Sequence, residues 1–302
     1  MKETLTFRDK IVLFPIWLVT LLPLPLLYLF SDLVFFILYY ILRYRRAVVH
    51  TNLTRAFPDK TERDIRRLTI KFYRYLCDYF IESIYLLNMS AAESNKRYRY
   101  TNPDVMHELY KKKKNIVFAV GHYGNWEWAT ANIHVNTSYY TKGIYKPLSN
   151  KMFDRLFFYI RARYGNIPVP MKQTLRVING AIRNKEIFSI YLVADQRPTP
   201  EDLHYWTIFL NQDTPVISGV ERISRKYDMP VVFLDIDRPK RGHYDVTFKV
   251  LTEDPKNEPQ FAITEKYIRH VENMIIRKPE LWLWSHKRWK YSAEKHKPKA
   301  TS

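Results

Sequence analysis

His122 and Glu127 stand five positions apart in the segment GHYGNWE, residues 121–127. A histidine and a carboxylate brought within reach can divide proton-transfer work. The imidazole takes a proton from an attacking hydroxyl, and the carboxylate holds the tautomer and stabilises the imidazolium that forms. Spacing alone carries little, because nine histidines among thirty acidic residues yield about one such match by chance. The context adds more. Gly121 and Gly124, two of only seven glycines, flank the histidine, and glycine admits backbone conformations and close approaches that a Cβ blocks. On one continuous helix, residues five apart diverge by about 140°. The pair therefore converges only if His122 lies in a turn and Glu127 in the first turn of the helix that follows. Asn125 suits the N-cap of that helix, and Glu127 suits its positive end. Backbone N–H groups of the turn can then face an oxyanion. No serine or cysteine nucleophile lies in the segment, so direct attack by a bound hydroxyl is simpler than a covalent acyl-enzyme. A structural histidine beside a helix-capping glutamate has the same spacing, and the residues alone leave both readings open. Zinc would need ligands at i and i+4 and a third elsewhere, and the sequence nominates neither.

The elements around this segment read as α/β. NIVFAV at 115–120 is an uninterrupted apolar run, as expected of a strand buried on both faces. EIFSIYLVA at 186–194 is a second such run and leads straight into Asp195. PVVFLDI at 230–236 is a third, and HYDVTFKV at 243–250 alternates like an edge strand. Residues 60–88, 126–135, 218–228 and 260–278 carry helical signals between and after them. Strands alternating with helices predict a central, mainly parallel sheet flanked by helices. The lone Cys77 falls within a helical apolar pattern and reads as a small core residue.

Composition narrows the function. Seven glycines form neither G-x-G-x-x-G nor the Walker spacing, and one cysteine excludes a disulfide framework and any multi-cysteine metal site. No cofactor is implied. Forty-nine Lys and Arg against thirty Asp and Glu give a net charge of +19, which predicts a polyanionic partner. Aromatic residues make up 16%, including 23 Tyr and 7 Trp, a composition that suits both a lipid headgroup layer and single-stranded nucleic acid. Residues 11–31 contain no charge, and after Asp32 the apolar pattern resumes as LVFFILYYIL. The stretch matches the ~20 residues that cross a ~30 Å hydrocarbon core, although Pro15, Pro23 and Pro25 favour a bent span or a shallow hairpin. No small-x-small cleavage site follows, so the segment reads as a retained anchor. Arg43, Arg45, Arg46 and Arg55 come directly after it and place the rest of the chain in the cytoplasm. The organisation is an anchor at 1–45, a catalytic domain at 46–290 and a basic, flexible tail at 291–302. No nucleic-acid-binding motif accompanies the charge.

GHYGNWE resembles the H-x4-D/E signature of the lysophospholipid-acyltransferase-like superfamily. It is similar, more narrowly, to the late acyltransferases of bacterial lipid A biosynthesis. Four further blocks carry the same resemblance in order: LRYRRAVVHTNLTRAFPD at 42–59, IYKPLSNKMFDRLFFYIRARYGN at 144–166, LVADQRP at 192–198 and PELWLWSHKRWK at 279–290. The resemblance implies a glycerolipid-acyltransferase-like fold. It also implies transfer of a fatty acyl chain from acyl carrier protein to a hydroxy-acyl chain of a lipid A precursor, on the cytoplasmic face of the bacterial inner membrane. A related glycolipid or aminolipid acceptor is the alternative. The resemblance makes His122 the general base and Glu127 its partner. It assigns substrate contacts to Arg163, with Arg161 as its less certain neighbour, and to Lys146 and Asn125, while Asp195 supports the site from the end of its strand. Between the two arginines, which point about 200° apart on a helix, Arg163 is favoured because Gly165 can end the helix there. After Asp-Gln the chain departs from the family's pattern as RPTPEDLHYW, which bears on acceptor choice. Trp282, Trp284 and Trp289, interleaved with Lys287, Arg288 and Lys290, suit either an interfacial belt or the core packing of a terminal helix.

Overall fold

The computed structural model describes residues 5–291. The chain opens with α1 (Phe7–Val19) and α2 (Leu24–Phe36), the latter continued by a π-helical turn, Ile37–Ile41. The helices α3 (Arg46–Ala56), α4 (Glu62–Tyr85) and α5 (Ala91–Arg97) follow. The α/β body then runs β1 (Tyr98–Tyr100), α6 (Asp104–Lys111), β2 (Ile116–Val120), α7 (Trp126–Asn136), β3 (Tyr140–Tyr145), α8 (Lys151–Ala162) and β4 (Ile167–Pro170). It continues through α9 (Thr174–Arg183), β5 (Phe188–Val193), β6 (Trp206–Phe209), β7 (Gln212–Pro215), α10 (Gly219–Tyr227), β8 (Val231–Lys240), β9 (His243–Thr252) and α11 (Ala262–Arg277). All but the first residue of the basic tail at 291–302 lies outside the described residues, as do the first four of the anchor.

Seven strands form one sheet in the order β1-β9-β8-β2-β5-β3-β4, and β6 and β7 form a separate hairpin. Every neighbouring pair in the large sheet is parallel except β8 and β9. The central strand β2 is buried along its whole length, which is why Ile116–Val120 contains no polar residue. The expectation of an α/β chain with a mainly parallel sheet and flanking helices agrees with this architecture. HYDVTFKV is not at the edge, however. Tyr98–Tyr100 pairs on its outer side, so β9 is one strand in from the edge.

The N-terminal apolar stretch breaks at Thr20–Pro23, where Pro23 caps α2. Pro15 lies within α1. Leu24–Ile41 is long and apolar enough to cross a membrane by length and composition, but one face of it is buried against the protein. Leu24, Leu27, Tyr28 and Phe35 belong to the same core as Phe72, Tyr73 and Leu76 of α4. Spaced at three, one and seven residues, they form the helical stripe that a packed helix requires. The closing segment is not a helix beyond the short 3-10 turn Pro279–Leu281. Trp282 and Trp284 are fully buried, so neither belongs to a lipid-facing belt.

Candidate active site

Two adjacent parallel strands position the site. In the β2–β5 register, Val120 sits opposite Val193. His122 and Asp195 each follow two residues later, so the pairing of the strands brings them together. Ligands of open α/β sheets sit beyond the carboxyl ends of such strands. The His122 imidazole Nδ1 lies 2.6 Å from Asp195 Oδ1, and the His122 backbone N–H donates to Oδ2 at 2.9 Å. Trp282 Nε1 donates to the same carboxylate at 2.6 Å. Asp195 is fully buried, and burial alone would raise its carboxyl. The adjacent imidazole, its hydrogen bonds and that of Trp282 outweigh burial and hold the group below its usual range. An ionised carboxylate only accepts, so the proton of a neutral imidazole sits on Nδ1 and Nε2 is left as the basic nitrogen. The ring is held from the side as well, edge-on to Trp126 at 5.1 Å, and Trp126 in turn stacks on Tyr79 at 4.1 Å.

The carboxylate beside the His122 ring is thus that of Asp195, where the sequence pointed to Glu127. Glu127 does begin α7, with Asn125 as N-cap accepting from Trp128 N–H at 3.0 Å. Its carboxylate, however, is engaged by Arg161 from α8 in a bidentate pair of 2.8 and 2.5 Å. The guanidinium also lies over the Tyr145 and Phe157 rings. Burial acts to lower the Arg161 pKa, but the Glu127 charge and its hydrogen bonds, with smaller help from Tyr79 and Tyr145, together outweigh it and raise the group above its ordinary value.

The glycines divide in the same way. Gly124 adopts φ +56°, and a Cβ there would come within 2.8 Å of Ile236, so the turn needs glycine. Gly121 has ordinary contacts and carries no such requirement. Two of the turn's amides are already used, because His122 N–H binds Asp195 and Gly124 N–H binds the Leu281 carbonyl at 2.9 Å. Neither is free to face an oxyanion.

His122, Trp126, Glu127 and Arg161 open onto a cavity of about 970 Å³. Its apolar wall includes Ile144, Leu175, Val193 and Ile217, and its cationic members are Lys146, Arg197, Arg222 and Lys226. Of the arginine pair, Arg161 lines the cavity. α8 ends at Ala162 with Arg163 as its C-cap, and Gly165, at φ +93°, turns the chain just beyond it, but the Arg163 guanidinium turns to the Leu86 carbonyl and lies away from the cavity wall. Asn125 is also off the wall, its amide donating to Glu82 at 2.9 Å.

Sequence reasoning gave several residues found here no place in the site. Trp282 and Arg288 come from the closing block, and the Arg288 guanidinium donates to the Asp195 carbonyl at 2.8 Å and to the Pro215 carbonyl at 2.6 Å. Burial pulls the Arg288 pKa down to about 10. His286 lines the cavity and is pushed down to about 4, first by burial and then by the neighbouring His122 and Arg197, so it is neutral at pH 7. Gln196 lines the cavity with both side-chain polar atoms buried and unpartnered. The closing block's tryptophans and cations left an interfacial belt and core packing both open, whereas the adjacency of two β-strand ends was the signal that joined His122 to Asp195.

Over 284 residues, the chain is 20% identical to the lipid A biosynthesis lauroyltransferase of Escherichia coli strain K12, covering 92% of this chain and 90% of that relative. Residues 2–291, which hold the cavity and both histidine-bearing walls, match the family described as bacterial lipid A biosynthesis acyltransferase. The chain belongs to that family, and it is an acyltransferase.

Proposed function

We propose that this acyltransferase moves a fatty acyl chain from acyl carrier protein to the hydroxyl of a hydroxy-acyl chain on a lipid A precursor, at the cytoplasmic face of the bacterial inner membrane. The observation that carries the reading is His122, fixed by Asp195 on the wall of an apolar cavity with a cationic rim. Nε2 takes the proton of the acceptor hydroxyl, whose oxygen attacks the thioester carbonyl, and the protonated imidazole returns the proton to the departing thiolate. Asp195 orients the ring and stabilises the imidazolium. Glu127 acts through Arg161, holding a rigid guanidinium at the cavity for an anionic substrate group. Lys146 adds charge at the same wall. The apolar wall suits an acyl chain, and the cations suit phosphate on the acceptor or the acidic carrier.

One observation favours a second acceptor class. The stretch that departs from the family's pattern supplies cavity wall through Arg197, Pro198, Thr199, Pro200 and Asp202, so a different glycolipid or an aminolipid is the alternative acceptor on the same chemistry.

Mass spectrometry of lipid A from cells with and without the gene separates the two acceptors. In vitro, with acyl carrier protein as donor and a lipid A precursor as acceptor, His122→Ala lowers turnover about 100- to 10,000-fold, the usual worth of a general base. Asp195→Asn, which removes the charge that fixes the tautomer, produces a loss of similar order with the fold retained. Near-normal turnover by His122→Ala, or fatty acid release without acceptor as fast as transfer, refutes the mechanism.

A further inference from the structure

Leu24–Ile41 is 18 residues long, which at ~1.5 Å per residue is ~27 Å, close to the thickness of a bilayer core. Its middle is where its polarity is concentrated. Tyr28 donates to Glu82 at 2.7 Å, and Ser31 donates to Asp78 at 2.7 Å, both on α4. Asp32, halfway along, pairs at 2.8 Å with Arg241, which also binds Asp78 at 2.6 Å and lies over the Tyr28 ring at 4.1 Å. Arg241 and Gly242 form the turn between β8 and β9. That turn packs so closely on α2 that a Cβ at Gly242 would come within 2.3 Å of the Tyr28 hydroxyl. A helix spanning the bilayer would carry this turn, with Lys240, Arg241 and His243, to the midplane, where charge is most costly.

α1 is tied down in the same manner. Its 13 residues reach ~20 Å, short of a crossing. Asp9 near its start makes a bidentate pair with Arg155 of α8 at 2.7 and 2.8 Å, and Thr20 at its end accepts from Asn88 at 2.6 Å. Polar ties at both ends of α1 and in the middle of α2 lay both helices along the protein surface.

The other face is left to apolar side chains. Leu26, Leu29, Phe30, Leu33, Val34 and Ile37 are exposed on α2 and its extension, and Ile11, Phe14 and Leu18 on α1. Exposed cations bracket this face, with Arg8 and Lys10 at one end and Arg43 and Arg45 at the other. An apolar face between cations matches an anionic phospholipid leaflet: acyl chains against the stripe, headgroups against the charges.

We propose that α1 and α2 form a monotopic two-helix anchor seated in one leaflet of an anionic phospholipid membrane, with the start of α1 on the same side as the sheet domain. The inference rests on the ties and faces of the two helices and stands apart from the identity of donor and acceptor.

Sealed membrane vesicles of both orientations, prepared from cells producing the full chain, test it with a membrane-impermeant maleimide. The native thiol, Cys77, is buried, so unsubstituted protein gives the background. Lys256→Cys, at an exposed position, reports the side that carries the sheet domain. Arg8→Cys is expected to react in the same vesicle orientation as Lys256→Cys, and Leu21→Cys not to react from the opposite side. Reaction of Arg8→Cys only from the opposite side means one crossing, and reaction of Leu21→Cys from there means two; either overturns the proposal. So does recovery of the chain off the vesicles as a soluble dimer covering the apolar face. As a second reading, Leu33→Asp on the lipid-facing stripe is expected to release protein from vesicles at least several-fold while its thermal transition in detergent stays in place.

Discussion

At the scale of single residues, the arginines separate positional from general charge. Arg161 grips both oxygens of Glu127 and lines the cavity, whereas Arg163 binds a backbone carbonyl away from it. Arg161→Lys keeps the charge but gives up the two-pronged grip, because an ammonium is a point charge and cannot reproduce a planar fork. We expect kcat/KM to fall about tenfold or more, equivalent to ~1.4 kcal/mol of transition-state stabilisation. Arg163→Ala should leave kcat/KM within about threefold, because what it removes is one hydrogen bond outside the cavity. Steady-state kinetics of both variants, with thermal transitions to exclude misfolding, check the pair, and a larger loss for Arg163→Ala would reverse the assignment. The sequence favoured the opposite arginine. Helical periodicity established that the two diverge, but only the packing of α8 on α7 determines which of them meets Glu127.

At the scale of elements, what was legible follows from burial. β2, most of β5 and the first four residues of β8, 231–234, are apolar because both faces are covered, so each could be read directly from its run. β3 and β4 could not, since YTKGIY carries a lysine and IPVP two prolines. Lys142 is buried in β3 only because Glu186 binds it at 2.8 Å and its ammonium lies over the Phe188 ring at 4.8 Å. β4 tolerates its prolines at the sheet edge. The half of the site that depends on local order was legible, namely the turn at His122 and the cap at Asn125. The half that depends on strand order, Asp195 against His122, was not.

The least legible element contact is Glu82, which lies in the last turn of α4 and is fully buried. It accepts from Tyr28 of α2 at 2.7 Å, Tyr244 of β9 at 2.7 Å and the Asn125 cap of α7 at 2.9 Å. One carboxylate thus joins α2, the sheet and the helix that carries Glu127. Glu82→Ala leaves three donors facing a void, and breaking a buried charged network of this kind costs about 3–5 kcal/mol. Glu82→Gln keeps the volume but turns an amide N–H₂ toward groups that already donate, so it is expected to fall between wild type and Ala. Denaturant unfolding in detergent measures both, and a loss below about 1 kcal/mol for Glu82→Ala would mean that the network is not holding the three elements together.

At the scale of the whole molecule, the net charge of +19 is a long-range property, and it acts on encounter rather than on chemistry. Lys146, Arg197, Arg222 and Lys226 concentrate it at the cavity. Asp202 offsets only Arg222 in that group, through an exposed 3.0 Å pair. The screening length shortens from ~10 Å at about 0.1 M salt to ~3 Å at about 1 M. Raising salt across that range is therefore expected to lower kcat/KM for an acyl carrier protein donor at least several-fold, through KM, while kcat changes little. The buried His122–Asp195 pair is shielded from salt, so the chemical step has no reason to follow. Lys226→Glu should lower kcat/KM at low salt and flatten the salt dependence, because it removes part of the field that salt would otherwise screen. Equal salt slopes for wild type and Lys226→Glu would show that encounter is steered by charge elsewhere on the surface. A fall in kcat parallel to kcat/KM would place the effect in the fold instead of the approach.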